Sequence, residues 1–102
     1  MKIKGEHLVC IARLVLKPEH LEEAKTIFAD LMKKSTKEAG CVRYELHQNM
    51  ENSLEFTFID RFENEKAFDF HCAQEYAVHY FDEVLPPLCD EFEISIHREV
   101  EL

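Results

Sequence analysis

Apolar positions along this chain change their spacing several times, and each change marks an element. From His7 to Leu16 the Val, Ile and Leu residues alternate loosely, which predicts a strand buried on both faces. Lys17-Pro18 breaks it, and Pro18 suits the first turn of a helix. From Glu19 to Ala39 the residues Leu21, Ala24, Phe28, Leu31, Met32 and Ser35 recur every three or four positions, the period of a helix with one buried face. Glu19, Glu22 and Glu23 near its start and Lys33, Lys34 and Lys37 near its end complement the helix dipole. These charged positions read as a solvated face. Gly40 reads as a left-handed cap that ends the helix.

Strict alternation follows. Val42, Tyr44 and Leu46 share one face of a strand to Gln48, and Arg43, Glu45 and His47 share the other. Asn49 to Ser53 is a hairpin loop. From Leu54 to Phe62, Phe56, Phe58, Asp60 and Phe62 share a face, while Glu55, Thr57, Ile59 and Arg61 share the opposite one. Asn64 caps a helix from Glu65 to about Ala73. Glu75 to about Leu85 repeats Tyr76, Ala77, Tyr80, Phe81, Val84 and Leu85 at helical spacing, and Pro86-Pro87 is expected to end it. A last strand carries Phe92, Ile94, Ile96, Arg98 and Val100 on one face.

The order is β-α-β-β-α-β. It predicts an α+β fold, the ferredoxin-like plait: a four-stranded antiparallel sheet with the helices on one face. The other face, with Val9, Ile11, Val15, Thr57 and Ile59 beside Arg13 and Arg61, is too apolar for open water and too charged for a core. It suits a homodimer built sheet on sheet, with Arg13, Arg43 and Arg61 meeting Glu45 and Glu55 across a two-fold axis.

Composition narrows the partners. A chain of 102 residues is read as one domain, residues 1–102 with a core of about 8–100, and its formal net charge is -9. That charge argues against nucleic acid and anionic membranes. No apolar run reaches the roughly 18 residues of a membrane helix, and the N-terminal residues lack a signal peptide's apolar stretch. The reading is a cytoplasmic protein. Cys10, Cys41, Cys72 and Cys89 form no CxxC pair, so reduced thiols are expected and no metal site.

The stretch Gly40-Cys41-Val42-Arg43-Tyr44-Glu45-Leu46 resembles the helix-to-strand junction of the antibiotic biosynthesis monooxygenase (ABM) domain family. Phe56-Thr57-Phe58-Ile59-Asp60-Arg61-Phe62-Glu63-Asn64-Glu65-Lys66-Ala67 resembles that family's third strand and helix start, usually acidic at the position of Asp60 and Trp at that of Phe62. His71 matches the histidine of its second helix. The resemblance runs from about Leu8 to Val100. It implies a dimeric α+β barrel with a pocket between helices and sheet in each subunit. It also implies one of several activities: oxidation of quinols or polycyclic aromatics without a cofactor, haem degradation, or isomerisation of autoinducer-2 phosphate. This chain departs from the family in having no Trp, and in carrying Tyr76 where many relatives have a second His.

The candidate chemistry centres on His71 as a base for a phenolic or enolic proton. Asp60, a carboxylate on an apolar face, needs a partner and is expected to orient His71. Tyr76 completes the catalytic set by steadying developing charge. Tyr44, Phe58, Phe68, Phe70 and Tyr80 are expected to hold the substrate ring and its oxygens. His79 is read as a surface residue, with haem ligation as the alternative. The leading reading is a monooxygenase for a small quinol-like or aromatic hydroxylated molecule, using neither metal nor flavin. The alternatives are an isomerase of a small hydroxyketone and a non-catalytic small-ligand-binding dimer.

Overall fold

Strand Leu8–Leu16 is the axis of the molecule, with a strand hydrogen-bonded along each of its edges. The computed structural model describes all 102 residues. In chain order the elements are β1 (Lys2–Ile3), β2 (Leu8–Leu16), a 3-10 turn at Pro18–His20, α1 (Leu21–Ser35), β3 (Cys41–Gln48), β4 (Glu55–Phe62) and α2 (Glu65–Ala73). There follow α3 (Glu75–Val78), a π-helical turn at His79–Val84, α4 (Leu85–Leu88), β5 (Cys89–His97) and β6 (Val100–Glu101). Strands β3-β4-β2-β5 form one antiparallel sheet in that order, and β1 pairs with β6 in a separate two-stranded ribbon. This is the expected α+β plait.

Alternation decides the faces. Leu8, Cys10, Ala12, Leu14 and Leu16 of β2 are buried, as are Phe56, Phe58, Asp60 and Phe62 of β4. Against them α1 sets Ala24, Ile27, Phe28 and Leu31, and the later helical segments add Leu85 and Leu88. Phe28 meets Phe56 and Phe58 at ring separations of 5.3 and 5.1 Å, distances at which tilted aromatic pairs attract. The opposite residues of β2, among them Val9, Ile11 and Val15, are only half-buried. Charges on that open face pair within the chain: Arg13 with Glu55 at 2.9 Å, Arg43 with Glu45 at 2.6 Å and Arg61 with Glu99 at 3.1 Å. The charges expected to pair across a two-fold axis thus find partners within one chain: Arg13 and Glu55 are diagonal neighbours on adjacent strands, and Arg43 and Glu45 stand two apart on one face of β3.

Several boundaries differ from the periodicity. Helix α1 stops at Ser35, and residues 36–40 continue as turns. Gly40 is not left-handed; the one positive-φ residue is Gly5. What Gly40 provides is close approach, since a Cβ there would collide with the Cβ of Ala67 in α2 and stand 3.4 Å from the Ala67 Cα. Val42 is exposed, not inward, because the β3–β4 register shifts between Cys41 and Arg43. Pro86-Pro87 does not end the helical segment. The π turn shifts the hydrogen-bond register, so the prolines enter the first turn of α4, where a missing N–H removes no bond. Strand β5 begins at Cys89 and ends at His97, and Val100 belongs to the terminal ribbon.

Candidate functional site

Small residues on the central strand open a space above the sheet. Cross-strand register aligns Tyr44, Asp60, Cys10 and Ile96 in one row, and Leu46, Phe58, Ala12 and Ile94 in the next. Cys10 and Ala12 reach less far than the leucines before and after them, so the helices above leave a gap. The result is a cavity of about 130 Å³ with Cys10, Ala12, Asp60 and Ile94 on the sheet side. Phe68, His71 and Cys72 come from α2, Ala77 and Val78 from α3, and Phe81 and Asp82 from the π turn. Val78 and Ile94 are exposed and mark the open side of the cavity, at edge strand β5.

His71 is placed by α2. The Asn64 side chain caps that helix by accepting the Ala67 N–H at 2.9 Å, and the Glu63 N–H donates to the Gly40 carbonyl at 3.0 Å. His71 is 4% exposed, and its ring lies 4.9 Å from the Phe62 ring. Its Nδ1 meets Oε2 of Glu38 at 2.9 Å. The same oxygen accepts the Tyr76 hydroxyl, which also lies 3.3 Å from Ser35 Oγ. A carboxylate accepting at Nδ1 holds the imidazole as the Nδ1–H form and leaves Nε2 as the basic nitrogen.

Asp60 does not orient His71; that partner is Glu38. The reason lies in the chain path after α1. Ser35 and Glu38 continue the buried stripe of Leu31 by steps of four and three, and the turn following Ser35 curls Glu38 inward against α2. The Glu38 side chain is 8% exposed, so this residue does not belong to the solvated face expected of α1. The stripe spacing was the signal that identifies it.

Three polar atoms near His71 are buried without a hydrogen-bond partner: Oδ1 of Asp60, Oη of Tyr44 and Oε1 of Glu38. Burial, with Glu38 adding repulsion, pushes the Asp60 carboxyl from the ordinary aspartate range up to about 8. At pH 7 it is therefore chiefly protonated and able to donate a hydrogen bond, as neutral carboxyls in apolar sites do. Burial first, and then the neighbouring Asp60, raises the Tyr44 hydroxyl and takes the Cys10 thiol to about 12. Burial and the bond to Glu38 likewise raise the Tyr76 hydroxyl.

Of the eight side chains selected from the sequence, the cavity wall contains His71, Asp60 and Phe68. Tyr76 stands behind it, holding Glu38, and lines an outer groove instead. Phe58 is fully buried in the core beside Phe28. Tyr44 is buried beneath His71, with ring centroids 6.0 Å apart. Tyr80 points outward and donates to Asp30 at 2.6 Å, and Phe70 is exposed. Helix rotation accounts for both: Phe70 and Tyr80 each follow a cavity-lining residue, Phe68 and Val78, by two positions, about 200° round a helix. His79 is exposed and paired with Glu83 at 3.0 Å.

The sequence model of the antibiotic biosynthesis monooxygenase (ABM) family matches residues 7–83. The crystal structure of protein SO0527 from Shewanella oneidensis is 34% identical, covers 96% of this chain and 95% of its own, and superposes with a TM-score of 0.89. The protein PA3566 from Pseudomonas aeruginosa is 26% identical with a TM-score of 0.83, over 95% of this chain and 97% of that one. The Synechocystis protein sll1783 is 28% identical, in an alignment that covers 97% of this chain and 69% of that protein.

Proposed function

This chain belongs to the antibiotic biosynthesis monooxygenase (ABM) family, and from that premise we propose that it is a monooxygenase whose substrate, a small quinol-like or hydroxylated aromatic molecule, itself supplies the electrons for dioxygen. The observation that carries the reading is His71: buried at an apolar cavity, its Nδ1 committed to Glu38, its Nε2 left as a base. Nε2 takes the proton of a ring hydroxyl. The anion passes one electron to dioxygen, and the radical pair joins as a carbon–oxygen bond. Loss of water from the resulting hydroperoxide leaves a hydroxyquinone. A hydroquinone gives up four electrons in all; one oxygen atom stays on the ring and the other leaves as water, with the proton returned by His71.

Asp60, held neutral by burial, donates to the oxygen on which charge develops, and the Phe68 and Phe81 walls keep water out. Tyr76 and Ser35 act through Glu38 by holding its carboxylate. No arginine or lysine is among the lining residues, which weighs against the isomerase of a phosphorylated hydroxyketone. The cavity is also far smaller than haem. We further propose a homodimer through the open sheet face and, with all four thiols unpaired, a reducing compartment such as the cytosol.

The test is dioxygen uptake with 1,4-hydroquinone. His71→Ala should lower the rate by about 10²–10⁴-fold, the usual worth of a general base. Equal uptake by the variant, or none by the wild type across a panel of hydroxyarenes, would remove the reading.

A further inference from the structure

The dimensions and charge of the cavity narrow the ligand further, on the reading above that the cavity is the substrate site. Its volume is about 130 Å³. An apolar protein cavity of about 150 Å³ accepts one benzene ring, so this one has room for a single six-membered ring, roughly six to nine non-hydrogen atoms. Close packing sets that limit: Ala12 and Ala77 are buried and Phe68 and Phe81 close two sides, so a second fused ring would project through the mouth between Val78 and Ile94.

The polar lining is equally restrictive. Asp60 is 2% exposed, lines the cavity and makes no side-chain hydrogen bond within the protein, so a ligand atom is the natural complement of its cavity-facing oxygen. His71 presents the second polar contact. Asp82, at the rim, is a further acid. With no cation among the lining residues and a formal net charge of -9, a phosphate or carboxylate would lose its hydration and gain only repulsion.

We infer that the ligand is an uncharged single-ring hydroxyarene, its hydroxyl on His71 and Asp60 and its ring against Phe68 and Phe81. Calorimetric titration of the full chain with phenol, 1,4-hydroquinone, 2-naphthol and phenyl phosphate tests this, with the His71 ring signals followed by NMR to locate each probe. Phenol and hydroquinone should bind and move those signals. The two-ring and phosphorylated probes should bind at least ~10-fold more weakly, the scale on which a shaped pocket rejects a misfit. Equal affinity for 2-naphthol or phenyl phosphate overturns the inference, and so does binding of phenol or hydroquinone that leaves His71 unmoved, or no binding of either. Binding of the single-ring phenols without dioxygen uptake would remove the oxygenase reading and leave the ligand class standing. Uptake together with equal affinity for the larger or charged probes would do the reverse.

Discussion

Gly40→Ala is expected to destabilise the protein and disturb the cavity beside His71, although Gly40 has no left-handed backbone. Two effects oppose. Replacing glycine at an ordinary φ reduces the freedom of the unfolded chain and stabilises by about 0.4–1 kcal/mol. Against that, the new methyl overlaps the Cβ of Ala67 and lies 3.4 Å from its Cα and 3.7 Å from Cγ of Glu63. Two of those atoms belong to a helix, not to a flexible side-chain end, so α2 must move. Overpacking of this kind costs about 1–3 kcal/mol. Because the overlap is severe and falls on atoms fixed to a helix, the upper half of that cost applies, about 2–3 kcal/mol, and the net is a loss of about 1–2.6 kcal/mol, which lowers the melting temperature of a domain this size by about 4–20 °C. His71 stands one turn beyond Ala67 on α2, so the same displacement loosens its 2.9 Å bond to Glu38. The decisive assay is a double-mutant cycle with Ala67→Gly, read by urea unfolding. Ala67→Gly alone should cost about 1 kcal/mol in helix propensity. With the overlap removed, the double variant should lie within about 1 kcal/mol of wild type, well short of the sum of the single losses. A neutral or stabilising Gly40→Ala, or additive losses in the cycle, would refute the steric reasoning.

Glu38→Ala strands the buried His71 Nδ1 and leaves the Tyr76 hydroxyl only Ser35 Oγ, and should cost about 1–3 kcal/mol; Glu38→Gln keeps an acceptor and should recover most of it in the same unfolding assay. Asp60 binds its proton up to about pH 8 when folded but only to about pH 4 when unfolded, so the native state holds more protons between those values and stability falls as pH rises through that window, by up to about 1.4 kcal/mol per pH unit. Asp60→Asn should flatten that slope in urea titrations from pH 4 to 8, and an unchanged slope would show that the carboxyl is not the source. On the open face Ile11 and Ile59 lie opposite each other on β2 and β4, and light scattering should give twice the 12.1 kDa chain mass for wild type and the single mass for Ile59→Glu; a monomeric wild type at micromolar concentration sinks the sheet-face dimer.

Element order, strand faces and the helix cap at Asn64 follow from local rules: alternation, the three-and-four spacing and side-chain capping act over a few residues and are readable without the fold. That is why Phe56, Phe58, Asp60 and Phe62 were found inward and why the plait was legible. The site was less so. That Asp60 and His71 share one cavity follows from strand register and from the small side chains of Cys10 and Ala12, neither of which local spacing weighs. The partner of His71 depends on a turn after Ser35 that carries Glu38 across to α2, 33 residues away in sequence. Gly40 looked like a backbone cap and proved to be a packing contact, because the atom it must avoid, on Ala67, is brought there only by the tertiary fold. Spacing along the chain thus determined which residues turn inward. The meeting of elements distant in sequence decided which of them face one another, and so where a proton can move.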